Sequence, residues 1–259
     1  MEGVWTRFLP VSEYVRNIVV SGRLGQLQRV YADCSHALDP EKSMHDGKHR
    51  MVNPDLAGGA LLGLGIYALT WIFQTLVTTV PRNERKMPSV QSFTEQYGST
   101  MGVDELTTIL LTFPRGEGKV HAVATTGIRY ATEPLKGVDT APACRIYGEY
   151  GELQVFAPLY RPTKTRLVLR DGTCEDQEWI YPGPGKGSGW SNGIHSEGEG
   201  QGLFWEADEA ATAIIEGHKE GGFGLDESIV VMKVMDEVRK QGGLRYPENI
   251  ESLEFPLSL

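Results

Sequence analysis

The sequence lacks several features that would mark whole classes of protein. It has only 3 cysteines, Cys34, Cys144 and Cys174, far apart and in no CxxC pair. That excludes a disulfide-stapled scaffold and a zinc-finger spacing and favours a reducing compartment. Cations are outnumbered, 25 Lys and Arg against 34 Asp and Glu, for a formal charge of -9. With no basic cluster to release counterions, a nucleic-acid partner is excluded. The opening residues MEGVWTRFLP contain no basic stretch leading into an apolar one, so no secretory signal is legible and a cytoplasmic location is expected. Charge is missing altogether from residues 56–80, a run long enough to cross a bilayer. Its second half nevertheless carries Thr70, Gln74, Thr75, Thr78 and Thr79, and Asp55 stands before it as a helix cap. The run is therefore expected to be a core helix, not a membrane span.

A nucleotide-binding half is also not expected in these residues. Gly63-Leu64-Gly65-Ile66-Tyr67-Ala68 matches the GxGxxA fingerprint in form, but no β-branched strand precedes it and no βαβ unit follows. Gly185-Lys186 is followed by Gly187, where a phosphate loop needs a hydroxyl for magnesium. His36, His45 and His49 have no helix or turn fixing their spacing, so no metal site is expected, and no cofactor.

What is present patterns well. Residues 11–21 read as a helix ended by Gly22, and 25–35 alternate as a strand with one buried face. After the polar loop 39–54 and the uncharged helix come β-rich runs at 89–97, 103–113, 119–128, 143–147, 151–156 and 165–170. Most are joined by short turns, which makes neighbours antiparallel. A Gly-rich segment at 182–202 precedes helices at 204–218 and 226–241. In the second, Asp226 serves as a cap, and Ile229, Met232, Val234 or Met235, and Val238 form the buried stripe. The expected fold class is α+β: an open, mostly antiparallel β-sheet with helices packed on one face, in a single domain over residues 1–259.

Three blocks resemble one family: Trp5-Thr6-Arg7-Phe8-Leu9-Pro10; Asn53-Pro54 with Gly58-Gly59-Ala60-Leu61-Leu62-Gly63-Leu64-Gly65-Ile66-Tyr67; and Trp205-Glu206-Ala207-Asp208-Glu209 with Asp226-Glu227-Ser228 and Met235-Asp236-Glu237-Val238-Arg239. Their order is similar to that in the C-terminal domain of the glucose-fructose oxidoreductase, inositol dehydrogenase and MocA (Gfo/Idh/MocA) group, in its dihydrodiol and xylose dehydrogenase branch. The resemblance implies a catalytic and dimerisation domain without the family's N-terminal Rossmann domain and its Glu-Lys-Pro motif. It aligns Tyr67 with the family's acid/base residue, but puts Gly63 where the family has an acid. It also implies a homodimer through the sheet face, and makes Trp5 and Arg7 a substrate-side wall.

From the residues themselves, a phenol of pKa about 10 can donate a proton or a hydrogen bond to a developing oxyanion without first ionising, which makes Tyr67 a catalytic candidate. Asp33 and His36 close the first strand, where functional side chains emerge, and are substrate-binding candidates. In the Gly-rich segment, Trp190 and Asn192 are further binding candidates and His195 a general acid/base, on a lid or on a plain loop.

The two departures from the family lead to an expected cofactor-independent enzyme of secondary metabolism, binding a small, largely apolar molecule and promoting cyclisation, isomerisation or elimination. The alternative is an NAD(P)-dependent oxidoreductase seen without its Rossmann domain, and a second alternative is a non-catalytic dimeric binding module.

Overall fold

Period-2 alternation through the middle of the chain builds one open sheet of eight strands, in the order β2-β3-β4-β1-β5-β6-β7-β8. The computed structural model describes residues 2–98, 102–133, 141–189, 197, 202–218 and 224–254. The strands are β1 (Leu27–Ser35), β2 (Ser89–Gln96), β3 (Asp104–Arg115), β4 (Gly118–Gly127), β5 (Pro142–Gly148), β6 (Gly151–Phe156), β7 (Lys164–Leu169) and β8 (Cys174–Glu178). Every pairing is antiparallel except β1 with β4, which is parallel from Arg29 opposite His121 to Ser35 opposite Gly127. The first strand thus lies at the centre of the sheet, between two later ones. β8 was not anticipated, because CEDQE is exposed throughout and has no apolar alternation to show it.

One sheet face is covered by helices. In α1 (Pro10–Val20), Pro10 opens the helix, and Val11, Val15 and Ile18 point inward, while α2 (Pro40–Ser43) is a single turn after β1. α3 (Ile66–Leu76) is buried from Ala68 to Leu76. It lies against Val30, Ala32 and Cys34 of β1 and against β4 in one continuous core. Thr75, and Thr78 and Thr79 just past its end, each donate to the carbonyl four residues back, at 2.7, 2.8 and 2.6 Å. Trp71 is fully buried and donates its Nε1 to the Leu159 carbonyl at 2.8 Å. Among the described residues, no helix is long and apolar enough to cross a membrane.

The uncharged run is not one helix begun at an Asp55 cap. Asn53 is the capping side chain, accepting from the Asp55 amide, and a 3-10 turn Pro54–Leu56 ends at Ala57 with φ +52°. Gly59, at φ +121°, bridges to Asp104, whose buried Oδ2 accepts the Leu61 amide at 2.8 Å. Only there does the chain wind up, first as a π turn Leu61–Gly65 and then as α3. A Cβ on Gly59 would lie 2.1 Å from Asp104 Oδ1, so this start admits only glycine.

α4 (Leu203–Ile215) and α5 (Leu225–Gly242) close the layer. The buried stripe of α5 is Val231, Val234, Met235 and Val238, whereas Ile229 and Met232 are exposed. Its cap is Gly224, and Asp226 lies in the first turn, where it complements the helix dipole.

Candidate active site

The π turn delivers Tyr67 to the first turn of α3, half-buried at the edge of the core. A 3-10 turn Trp5–Phe8 brings a buried Trp5 across it, and the indole Nε1 donates to the Tyr67 hydroxyl at 3.1 Å. The two rings meet edge to face, at 6.5 Å and 82°. Tyr160, just beyond β6, is the hub of the cluster, with its ring 5.8 Å from Trp5, 5.9 Å from Tyr67 and 5.6 Å from His36. Thr6 fixes its backbone by donating to the Tyr160 carbonyl at 2.5 Å.

Burial pushes the Tyr67 phenol above its ordinary range, and the Trp5 hydrogen bond partly offsets that. Three neighbours also act on it through charge, Cys34 and Glu206 favouring the phenol and Arg50 the phenolate. Glu206 approaches from α4, whose N-terminal Gly202 touches the Trp5 ring closely enough that a Cβ would lie 2.8 Å away. Its Oε2 is buried without a hydrogen-bond partner, and burial lifts its carboxyl above the usual range. A half-buried phenol that accepts a bond from an indole keeps its own hydrogen for another partner. It can therefore give a proton to, or take one from, an oxygen placed against it.

The candidates named from the sequence separate. Tyr67, Trp5 and His36 come together around Tyr160. Arg7 does not join them. It turns to Gln74 at 3.4 Å and Glu227 at 3.6 Å, on the wall of a cavity of ≈ 470 Å³ that Arg16, Arg82 and Arg85 also line. Asp33 is one residue from Cys34, but strand alternation sends it to the opposite sheet face. There it accepts from Ser35, Thr125 and Thr132 at 2.7, 2.6 and 2.6 Å, as a buried structural carboxylate. Trp190, Asn192 and His195 lie outside the described residues. Tyr160, Arg50 and Glu206 were not singled out as site residues. Glu206 stood inside a family-like block, but Tyr160 and Arg50 had no local signal.

The GxGxxA match offers no cradle for a dinucleotide. It lies within the π turn and α3, and a Cβ on buried Gly65 would meet Thr126 at 3.3 Å and Leu61 at 3.4 Å. A pyrophosphate has no access to that backbone. The described residues also hold no group of three metal-ligating side chains.

Residues 12–154 match the GFO/IDH/MocA C-terminal domain. The chain belongs to that family. It is 42% identical over 255 residues to D-xylose 1-dehydrogenase (NADP(+)) of Hypocrea jecorina, a match covering 96% of this chain and 61% of that protein. It is 30% identical over 251 residues to trans-1,2-dihydrobenzene-1,2-diol dehydrogenase of Bos taurus, covering 96% of this chain and 64% of that one. The chain thus spans less than two thirds of the length of these relatives. The fold is shared with the aldose-aldose oxidoreductase of Caulobacter crescentus, at TM-score 0.65 and 18% identity over 92% of this chain and 60% of that one. It is shared as well with an inositol dehydrogenase homologue of Azotobacter vinelandii, at TM-score 0.59 and 15% identity over 92% and 62%.

These relatives overturn the expected cofactor-independent cyclase, isomerase or lyase of secondary metabolism. Likeness to named dehydrogenases runs through 96% of the chain. Gly63 is one missing side chain on that framework, too local a change to carry a new reaction class.

Proposed function

We propose that this chain is the substrate-binding and proton-transfer part of an NADP-dependent oxidoreductase that interconverts a hydroxyl and a carbonyl on a small polyhydroxylated molecule. The observation that carries the reading is the hydrogen bond from Trp5 to Tyr67 inside the aromatic cluster, in a chain 42% identical to an NADP-dependent xylose dehydrogenase. Trp5, Tyr160 and His36 form the binding wall, since aromatic faces suit the C–H faces of a sugar or a cyclic diol. Tyr67 exchanges the proton: it protonates the substrate oxygen as a carbonyl becomes a hydroxyl, and takes that proton back in the reverse direction. The GxGxxA segment does not fit the dinucleotide's pyrophosphate, so the hydride step is not assigned to it. The experiment is an NADPH fluorescence titration and a turnover assay with aldoses, polyols and trans-dihydrodiols, on protein purified from its natural source. Saturable binding and turnover are expected. A native protein that shows neither overturns the proposal.

We infer in addition that two copies pair through the sheet face away from the helices. Phe93, Leu106 and Leu110 stand exposed there on neighbouring strands, an apolar surface that a lone sheet would leave open to aggregation. Sedimentation of the native protein and of Phe93→Lys reads this directly: a dimer that becomes a monomer is expected, and a monomeric native protein excludes it.

A further inference from the structure

The cavity of ≈ 470 Å³ beside Arg7 is lined by none of Trp5, Tyr67, Tyr160 and His36, so it stands apart from the aromatic cluster. Its volume falls in the range of small-molecule pockets. Four arginines face it from three segments: Arg7 from the opening turn, Arg16 from α1, and Arg82 and Arg85 from the chain that follows α3. Three glutamates line it as well, and Glu227 is the most buried of them. A cationic cavity is a local exception in a chain of formal charge -9.

The charges inside it do not balance. Glu227 is shared between Arg85 at 3.0 Å and Arg7 at 3.6 Å. Arg85 is held in place besides, donating to the Val80 and Thr78 carbonyls at 3.0 and 3.3 Å. Arg7 has a side chain only 9% exposed, and burial pulls its guanidinium below the ordinary range although Glu227 opposes that. Arg16 and Arg85 push in the same direction as burial. Arg16 itself makes no hydrogen bond and no ion pair among the described residues. Glu227 Oε2 is buried and accepts no hydrogen bond. An anion would meet the first deficit and a hydroxyl the second.

We propose that this cavity binds a phosphorylated sugar or polyol, with its phosphate between Arg7 and Arg16 and a hydroxyl donating to Glu227 Oε2. A phosphate presents oxygens in several directions, so guanidinium forks on different segments can each take a share, whereas a planar carboxylate suits one fork. The site is independent of the proton-transfer reading of Tyr67, and its test needs neither nucleotide nor turnover.

The full chain is titrated calorimetrically with D-ribose 5-phosphate, D-ribose and inorganic phosphate. The sugar phosphate is expected to saturate a single site, about tenfold or more tighter than either the neutral sugar or the inorganic ion, since each of those lacks one charge-assisted bond. Arg16→Gln should weaken it about tenfold and Arg16→Glu should abolish it, with circular dichroism of both unchanged, because Arg16 is exposed. Arg16 lies on this wall and not in the aromatic cluster, so its loss locates the ligand. No saturable binding of the sugar phosphate, equal binding of D-ribose or of inorganic phosphate, or an affinity that survives Arg16→Glu overturns the proposal.

Discussion

Trp5 and Tyr67, 62 residues apart, are joined by a 3.1 Å hydrogen bond in which the indole donates and the phenol oxygen accepts. The direction of that bond matters more than its strength. It stabilises negative charge on the phenol oxygen while leaving the phenol hydrogen free for a substrate. Replacing Trp5 by Phe keeps most of the ring and removes the donor. The Tyr67 pKa, already raised by burial, should rise further. In kcat/KM against pH, the limb that reports phenol ionisation should move to higher pH, with a loss of up to about tenfold for one neutral hydrogen bond. An unmoved limb would detach Trp5 from the chemistry.

Tyr67→Phe removes only the oxygen that exchanges the proton. Turnover of the native protein should fall by about 10²–10⁴, the usual worth of a positioned acid/base, while ligand binding and thermal unfolding change little. Steady-state kinetics beside a binding titration makes the check, and retained kcat would remove Tyr67 from the mechanism.

Asp104 gives a pH dependence with a definite sign. Burial pushes its carboxyl up to about 6, although Leu61 and Thr107 both donate to Oδ2, because Oδ1 is buried without a partner. The folded-state pKa is above the unfolded value of about 3.9, so the folded chain holds the proton more tightly. The resulting stability is fully present below about pH 4 and is lost as the pH rises through about 6. Asp104→Asn keeps an acceptor for both donors and has no proton to lose. Urea unfolding of the two proteins should therefore diverge in favour of the amide between about pH 4 and 7. Asp104→Ala, which orphans the Leu61 amide, should cost about 1–3 kcal/mol.

Gly59→Ala tests the same junction from the other side. A methyl group placed 2.1 Å from Asp104 Oδ1, on a backbone at φ +121°, cannot be accommodated without moving the start of the π turn. Backbone strain alone is worth about 1–3 kcal/mol, and the turn that carries Tyr67 would shift with it. Stability and kcat should fall together here, unlike in Tyr67→Phe.

Arg7→Met separates the two halves of the opening turn. Arg7 and Glu227 are both largely buried, and Glu227 keeps Arg85 at 3.0 Å when Arg7 is gone. A destabilisation of about 1–3 kcal/mol is expected in denaturant unfolding, with KM for the substrate of Tyr67 unchanged. A selective rise in KM would return Arg7 to the substrate wall.

Much of the fold was legible because it is written locally. Alternation located β1 to β7 to within a few residues, and short turns showed that most neighbours run antiparallel. Period and end signals placed α1, α4 and α5. The misses have physical causes. β8 is an exposed edge strand held by its ladder and by surface ion pairs such as Arg166 with Asp176, so its side chains carry no apolar pattern. The run before Tyr67 reads as unbroken helix until Asp104, 43 residues downstream of Leu61, takes the first amide and sets where winding begins.

The site divides in the same way. The sequence by itself determined that Tyr67 lies on an apolar helix, that Trp5 and Arg7 share the opening segment, and that no strand-turn-helix for a dinucleotide surrounds the GxGxxA match. Only tertiary structure decided that Trp5 and Tyr67 meet, that Arg7 and Asp33 face elsewhere, and that Tyr160, Arg50 and Glu206 belong to the same neighbourhood. Helix and strand periods are properties of neighbouring residues, so a sequence states them directly. Which side chain receives a proton, a charge or a ring depends on contacts between segments far apart in the chain, and those are fixed only when the sheet brings its central strand and the helices above it together.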